Sequence, residues 1–205
     1  MVTRSEPGYV WDFCGGHLAI DFTNTVGSRG GRREEHFKVY EDVLSWAETR
    51  GAIARAEAQR LQHEAARRPA AAQTALASVL AVREALYRVL DAASSGRKPA
   101  ASDLAAINAH VGAAFSGAHL RSGRTRLELT FEPDGAPIVE AILTPVMRAA
   151  VDLMTSDAIT RVRPCADASC AWLFIDTTRS RTRRWCDMKI CGNRDKVRRF
   201  RTQPL

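Results

Sequence analysis

The chain has 205 residues and is 45% hydrophobic, enough for one ordinary domain with a buried core plus a small appendix. No stretch approaches the ~20 uninterrupted apolar residues that span a bilayer, and the opening "MVTRSEPGYVWDF" lacks the apolar run of a secretory signal, so a cytoplasmic protein with reduced thiols is expected and no membrane partner. The net charge of +7 is unevenly divided: residues 161–205 hold 12 Lys and Arg against 4 Asp and Glu, whereas residues 1–160 hold 18 against 19. That asymmetry points to nucleic acid or another polyanion as partner of the last segment, although a solvated basic tail has the same composition.

In "GGHLAIDFTNTV", Leu18, Phe22 and Val26 recur at i, i+4 and i+8 as one face of a short helix, while the β-branched residues also suit a strand. "GSRGGRREE" reads as a glycine-rich charged loop without the GK[ST] context of a phosphate loop. Val43, Leu44 and Ala47 predict a helix from Glu41 to Arg50, stopped by Gly51. Alanine-rich stretches at 54–67 and 70–93 are helices by propensity, separated at Pro69. A helix over 102–114 takes Ser102 as its cap and Leu104, Ile107 and Val111 as its face. "LELTFEPDGAPIVEAIL" holds two apolar runs joined by Pro-Asp-Gly, the pattern of a β-hairpin, to which "AHLRS" adds a third strand. Thr144 and Pro145 then open a helix to about Thr155. The expected fold is α+β: an α-rich body with a small antiparallel sheet over residues 1–156, and a basic module over 157–205.

That module contains "CADASC" and "CDMKIC", two C-x4-C pairs separated by 15 residues. Zinc takes four soft ligands at tetrahedral corners, and two short loops that each supply two thiolates satisfy it, so Cys165, Cys170, Cys186 and Cys191 form a candidate site for one structural Zn2+. The intervening "AWLFIDTT" reads as a strand, giving a treble-clef-like or ribbon-like finger that is too small to hold together by its core alone. Cys14, far away in sequence beside Phe13, reads as a small packed hydrophobe.

Arginines surround these thiols. Four thiolates on Zn2+ carry about −2, which nearby guanidinium groups stabilise, but a local excess of +8 goes beyond that need. "GNRDKVRRFR" predicts a helix capped near Asn193, with Arg194, Arg198 and Arg201 aligned on one face and Val197 and Phe200 turned onto the finger. With Arg179, Arg181, Arg183 and Arg184 on the preceding loop, and Lys189, Lys196 and Arg199 beside the helix row, these are the candidate nucleic-acid contacts. Trp172 and Trp185 read as the finger's miniature core.

The pattern C-x4-C-x-W-L-F-I-D-x-T followed by "RRWCDMKICGNRDK" resembles the CGNR zinc finger, and "GGHLAIDFTNTV" with "REALYRVL" resembles the ABATE domain that precedes it in a bacterial family of stress-induced transcription regulators. The resemblance covers nearly the whole chain. It implies zinc on the four cysteines and DNA binding by the basic finger. Asp187 stands where a small hydroxyl residue is expected and is left outside the contact set.

In the body, "QTALASVLAVREALYRVL" places Arg83 on the apolar face between Leu76, Val79, Leu80 and Leu86, Tyr87, Leu90. A buried guanidinium must be paired, and Asp21 is the expected partner across the first helix; the alternative is a pocket in which Arg83 and Asn24 grip a small anion. The body would then sense a ligand or form a homodimer. His17, His36, His63, His110 and His119 show no metal-binding spacing and no catalytic constellation has motif context, so no enzymatic activity is expected. The expected function is a zinc-finger regulator binding duplex DNA; RNA or a protein partner of the finger is the alternative.

Overall fold

A computed structural model describes residues 9–131 and 137–202. Helix α1 (Leu18–Thr23) starts at His17, whose ring nitrogen accepts the Ala19 N–H at 3.3 Å, and ends at Asn24. The predicted apolar face therefore stops at Phe22. Val26 leaves the helix and pairs with Glu35 in a two-residue antiparallel ladder of β1 (Val26–Gly27) and β2 (Glu34–Glu35). Helix α2 (Tyr40–Arg50) stops where expected, at Gly51, whose φ of 75° is left-handed backbone that glycine adopts at no steric cost.

Helix α3 (Arg55–Arg67) is followed by the 26-residue α4 (Pro69–Ser94), about 39 Å long, whose first residue is Pro69 itself, a position where its missing N–H costs nothing. Helix α5 (Ala101–Phe115) begins one residue before the expected cap. Ser102 lies inside the first turn and no side chain caps this end.

The expected three-stranded arrangement is corrected. Strand β3 (Ala118–Ser122) pairs antiparallel with β4 (Leu127–Phe131), so "AHLRS" and "LELTF" are the hairpin, while the Pro-Asp-Gly segment lies outside the described residues. "EAIL" instead opens α6 (Glu140–Thr155), because Ile142, Leu143, Val146, Met147, Ala150 and Leu153 keep helical spacing across Thr144 and Pro145 and are all buried. Pro145 sits inside the helix rather than starting it; it removes one amide bond in the second turn, and packing on one continuous face outweighs that loss.

A 3₁₀ turn (Asp157–Arg161) leads to β5 (Val162–Pro164), antiparallel to β6 (Leu173–Ile175); a π-helical turn (Met188–Gly192) then runs directly into α7 (Asn193–Thr202). Helix α4 is the hub, touching α1, α2, α3, α5, α6 and β5. One apolar core holds Ile20, Phe22, Trp46, Leu86, Leu90 and Met147 together with Val162, Leu173 and Ile175, so the β5–β6 hairpin is built into the body's core.

The expected Asp21–Arg83 pair does not form. Arg83, 1% exposed, makes a fork onto Glu35 (2.7 and 2.6 Å) and donates to Glu84 (3.0 Å) and the Thr25 hydroxyl (3.3 Å). The β1–β2 ladder, which apolar periodicity does not announce, delivers Glu35 to that place. Asp21 instead accepts Arg50 Nε at 2.7 Å and the Gly15 N–H at 2.9 Å.

Burial outweighs these contacts and pushes the Asp21 carboxyl up to about 6 from 3.8. A raised folded pKa means that the folded state holds the proton longer, so this group's contribution to stability declines as pH rises from about 4 through 6. Asp21→Asn removes that dependence. Urea unfolding should show the stability difference moving toward the variant by about 2 kcal/mol between pH 4.5 and pH 7.5, and a difference that stays flat would reject the raised pKa.

Candidate metal centre

Cys165 directly follows β5 and Cys170 lies three residues before β6, so the first pair sits at the tip of that hairpin, shaped by the Cys170 N–H donating to Asp167 O at 2.9 Å. Cys186 lies on the loop after β6 and Cys191 in the π-turn that enters α7. Main-chain bonds hold the two halves in register: Cys165 N–H to Trp172 O and Ala166 N–H to Arg184 O, each at 2.7 Å. Hairpin tip, loop and helix start give a treble-clef-like finger.

All four side chains are buried and their sulfurs lie within 4.8 Å of one another. Cys170 to Cys186 and Cys186 to Cys191 are each 3.6 Å. A tetrahedron with Zn–S bonds of ~2.3 Å has edges of about 3.8 Å, so the donor set fits one zinc ion. Contact with Cys165 and Cys186, then burial, pushes the Cys170 thiol up, which is what crowded thiols do without a cation between them. The four cysteines are the metal-ligating cluster among the described residues, they hold a single structural zinc, and a four-thiolate set leaves no coordination position for chemistry.

Asp187 has a role that its exclusion from the contact set did not foresee. Its carboxylate accepts the Ile190 N–H at 2.8 Å and its carbonyl accepts the Cys191 and Gly192 amides, so it caps the turn that presents Cys191. Asn193, the expected cap, instead donates its side-chain amide to Lys189 O at 2.7 Å.

The basic residues fall into two groups. Arg194 donates to the Cys191 sulfur at 3.0 Å and pairs with Asp167 at 2.9 Å; Arg198 pairs with Asp195 at 2.6 Å and approaches Asp167 at 3.8 Å; Arg199 pairs with Asp195 at 3.0 Å. Asp167 is buried, and a carboxylate there needs these guanidinium groups. Arg183 is caged: it donates to the carbonyls of Trp185, Ile175, Cys14 and Cys186 and lies 4.4 Å over the Phe174 ring. These four arginines build the finger. Arg179, Arg181, Arg184, Lys189, Lys196 and Arg201 are exposed, and the ion pairs of the finger do not include them among the described residues.

Val197 and Phe200 do not turn onto the finger. They are exposed, Phe200 by 80%, as are Met188 and Ile190 on the preceding turn. The finger's own small core is Phe174 with the cysteines, packed by Trp172, Trp185 and Cys14, in line with the structural reading of both tryptophans.

The Asn24 side chain donates to Leu173 O (2.9 Å) and accepts Leu173 N–H (3.1 Å), standing in for a strand against β6. Trp172 Nε1 donates to Val26 O at 2.7 Å, Tyr87 to Ala171 O at 2.8 Å, and the Arg29 N–H to Cys170 O at 3.1 Å. Gly30 passes so close to the hairpin tip that a Cβ would sit 1.8 Å from Ala168 O, so only glycine fits there. Arg29 clamps the same loop through Glu84 (2.9 Å) and Thr23 O (2.7 Å). Burial acts to raise the Glu84 carboxyl, but Arg29 and the neighbouring arginines outweigh it and hold Glu84 down at about 2.

Asp167, Asp187 and Arg29 hold the finger together, a part that sequence reasoning missed. The first two were marked only by lying inside or beside the C-x4-C pairs, and Arg29 by an arginine within a glycine-rich turn.

No helix among the described residues is long and apolar enough to cross a membrane. A comparison with curated proteins gives no match. Family models match two stretches: residues 16–157 match the ABATE family, described as "Putative stress-induced transcription regulator", and residues 161–203 match the CGNR zinc finger. The first match alone spans more than half of the sequence, and the second contains all four metal-ligating cysteines; the chain belongs to the ABATE family and carries a CGNR zinc finger.

Proposed function

We propose that this protein is a transcription regulator without catalytic activity, whose zinc finger binds duplex DNA through the outer face of α7 and the loop before it. The observation that carries this reading is the division of the basic residues. Arg183, Arg194, Arg198 and Arg199 are tied to the finger's own carbonyls, carboxylates and a cysteine sulfur, the last three with about half of each side chain still exposed, while Arg179, Arg181, Arg184, Lys189, Lys196 and Arg201 are exposed on α7, the π-turn and the loop before them, outside the finger's ion pairs among the described residues. Exposed Met188, Ile190, Val197 and Phe200 lie among them. Charges that follow phosphates, with apolar groups suited to base faces or thymine methyls, fit a nucleic-acid groove better than a purely solvated tail does.

The test uses the full zinc-loaded chain, because the finger shares its core with the body. Binding to random duplex DNA should weaken about a thousandfold between 50 and 200 mM salt. Lys196→Ala with Arg201→Ala should reduce the salt slope by about one to two units at unchanged zinc content. Arg194→Ala should act differently, lowering zinc affinity by about 10- to 100-fold, because it removes a donor to the Cys191 sulfur. Tighter binding of structured RNA than of duplex at equal salt would redirect the proposal to RNA, and binding indifferent to salt would reject it in favour of a protein partner.

A further inference from the structure

A fifth thiol stands at the zinc centre. Cys14 lies 151 residues before Cys165 in sequence, yet its side chain packs against the cluster formed by Phe174 and the four cysteines. Its position is fixed by main-chain bonds: the Cys14 N–H donates to Asp12 Oδ1 at 2.9 Å, and Arg183, which also holds the Cys186 carbonyl, donates to the Cys14 carbonyl at 3.1 Å. One guanidinium thus ties the backbones of both residues together. The neighbouring Ile175 N–H to Gly15 O bond at 3.0 Å seats the same segment on β6.

A tetrahedral zinc site is complete with four thiolates, so Cys14 is surplus to coordination. It also differs from the four in access: Cys165, Cys170, Cys186 and Cys191 are buried, while Cys14 is partly exposed. A solvent-reachable thiol packed against a four-thiolate cluster, its backbone tied by one guanidinium to that of Cys186, is the arrangement of an attacked and a resolving sulfur.

We propose that Cys14 is an oxidation site for hydroperoxides and that its product is a Cys14–Cys186 disulfide that opens the zinc centre. In the first step the Cys14 sulfur attacks one peroxide oxygen; the O–O bond breaks, the sulfur is oxidised by two electrons to the sulfenic acid, and the second oxygen leaves as water, or as an alcohol from an organic peroxide. In the second step the Cys186 thiolate attacks the sulfenic sulfur, the S–S bond forms, and the S–O bond breaks with hydroxide leaving to take up a proton. Overall, one thiol, one thiolate, one hydrogen peroxide and one proton give one disulfide and two waters. Zinc loses one of four ligands, and the remaining three hold it less tightly. On the DNA-binding reading above, the step also switches that binding off, but the chemistry itself does not depend on that reading.

The test treats the full zinc-loaded chain with hydrogen peroxide, follows released zinc with a chromogenic chelator, and maps disulfides by peptide mass spectrometry after alkylation. The expected result is about one zinc released per chain, in step with a peptide joining Cys14 to Cys186, and reversal by a thiol reductant. Cys14→Ser should bind zinc normally and release it at least about tenfold more slowly, and Cys14→Ala provides the same comparison without a hydroxyl should serine disturb the site. Equal release rates in both variants and the parent, or disulfides confined to the four zinc ligands, would overturn the proposal. Neither readout involves nucleic acid, so failure of DNA binding and failure of this chemistry remain distinguishable.

Discussion

Stripping zinc from the full chain, or replacing Cys191 by serine, should lower the thermal midpoint of the whole protein by roughly 10–20 °C rather than melt the finger alone. The zinc holds the tip of the β5–β6 hairpin, and the same hairpin places Val162, Leu173 and Ile175 in the body's core. Burying side chains of this size contributes about 1.5–3 kcal/mol each, so a finger that opens withdraws several kcal/mol from the body. Asn24, whose amide side chain is paired to Leu173 in both directions, would then be left buried without partners. Circular dichroism and tryptophan emission, with and without a chelator, should report one coincident transition at the lower midpoint. Two transitions, with the body's unmoved, would show that the finger detaches as an independent unit.

Arg83→Met should destabilise the body by about 1–3 kcal/mol, because Glu35 and the Thr25 hydroxyl lose the guanidinium that engages them while Glu84 keeps Arg29 and Arg33. The partner can be identified by double-mutant cycles in urea. Glu35→Gln combined with Arg83→Met should show a coupling above about 1 kcal/mol, whereas Asp21→Asn combined with Arg83→Met should be additive within about 0.5 kcal/mol. Strong coupling to Asp21 would contradict the arrangement in which Asp21 is held by Arg50.

Much of the helical architecture was legible in the sequence for local reasons. Gly51 ends α2 because the left-handed position needs glycine, Pro69 divides α3 from α4 because its ring cannot continue a helix, and alanine-rich stretches have no better local choice. The errors arose where non-local packing decided. Pro145 looked like a helix start, but buried apolar residues on both sides of it carried α6 through. Val197 and Phe200 looked like core by spacing, but both are exposed, and it is Arg194 and Arg198 of the same helix that reach buried Asp167.

The sequence by itself determined the four zinc ligands, since duplicated C-x4-C spacing supplies the paired thiolates of a four-cysteine zinc site, and it determined which 45 residues carry the charge. It also established that Arg83 is buried and must be paired, because its place on an apolar helix face follows from the 3.6-residue repeat. Only the tertiary structure decided the partner: helical period fixes the direction in which a side chain points, not what lies opposite, and a two-residue ladder brought Glu35 there in place of Asp21. The same limit applies to the arginines of the finger. Their number and spacing are sequence properties, but which of them are held by buried carboxylates and carbonyls, and which face solvent, depends on distant segments meeting at Asp167 and Cys14. That meeting also put a fifth thiol beside the metal site, across a sequence separation that no periodicity spans.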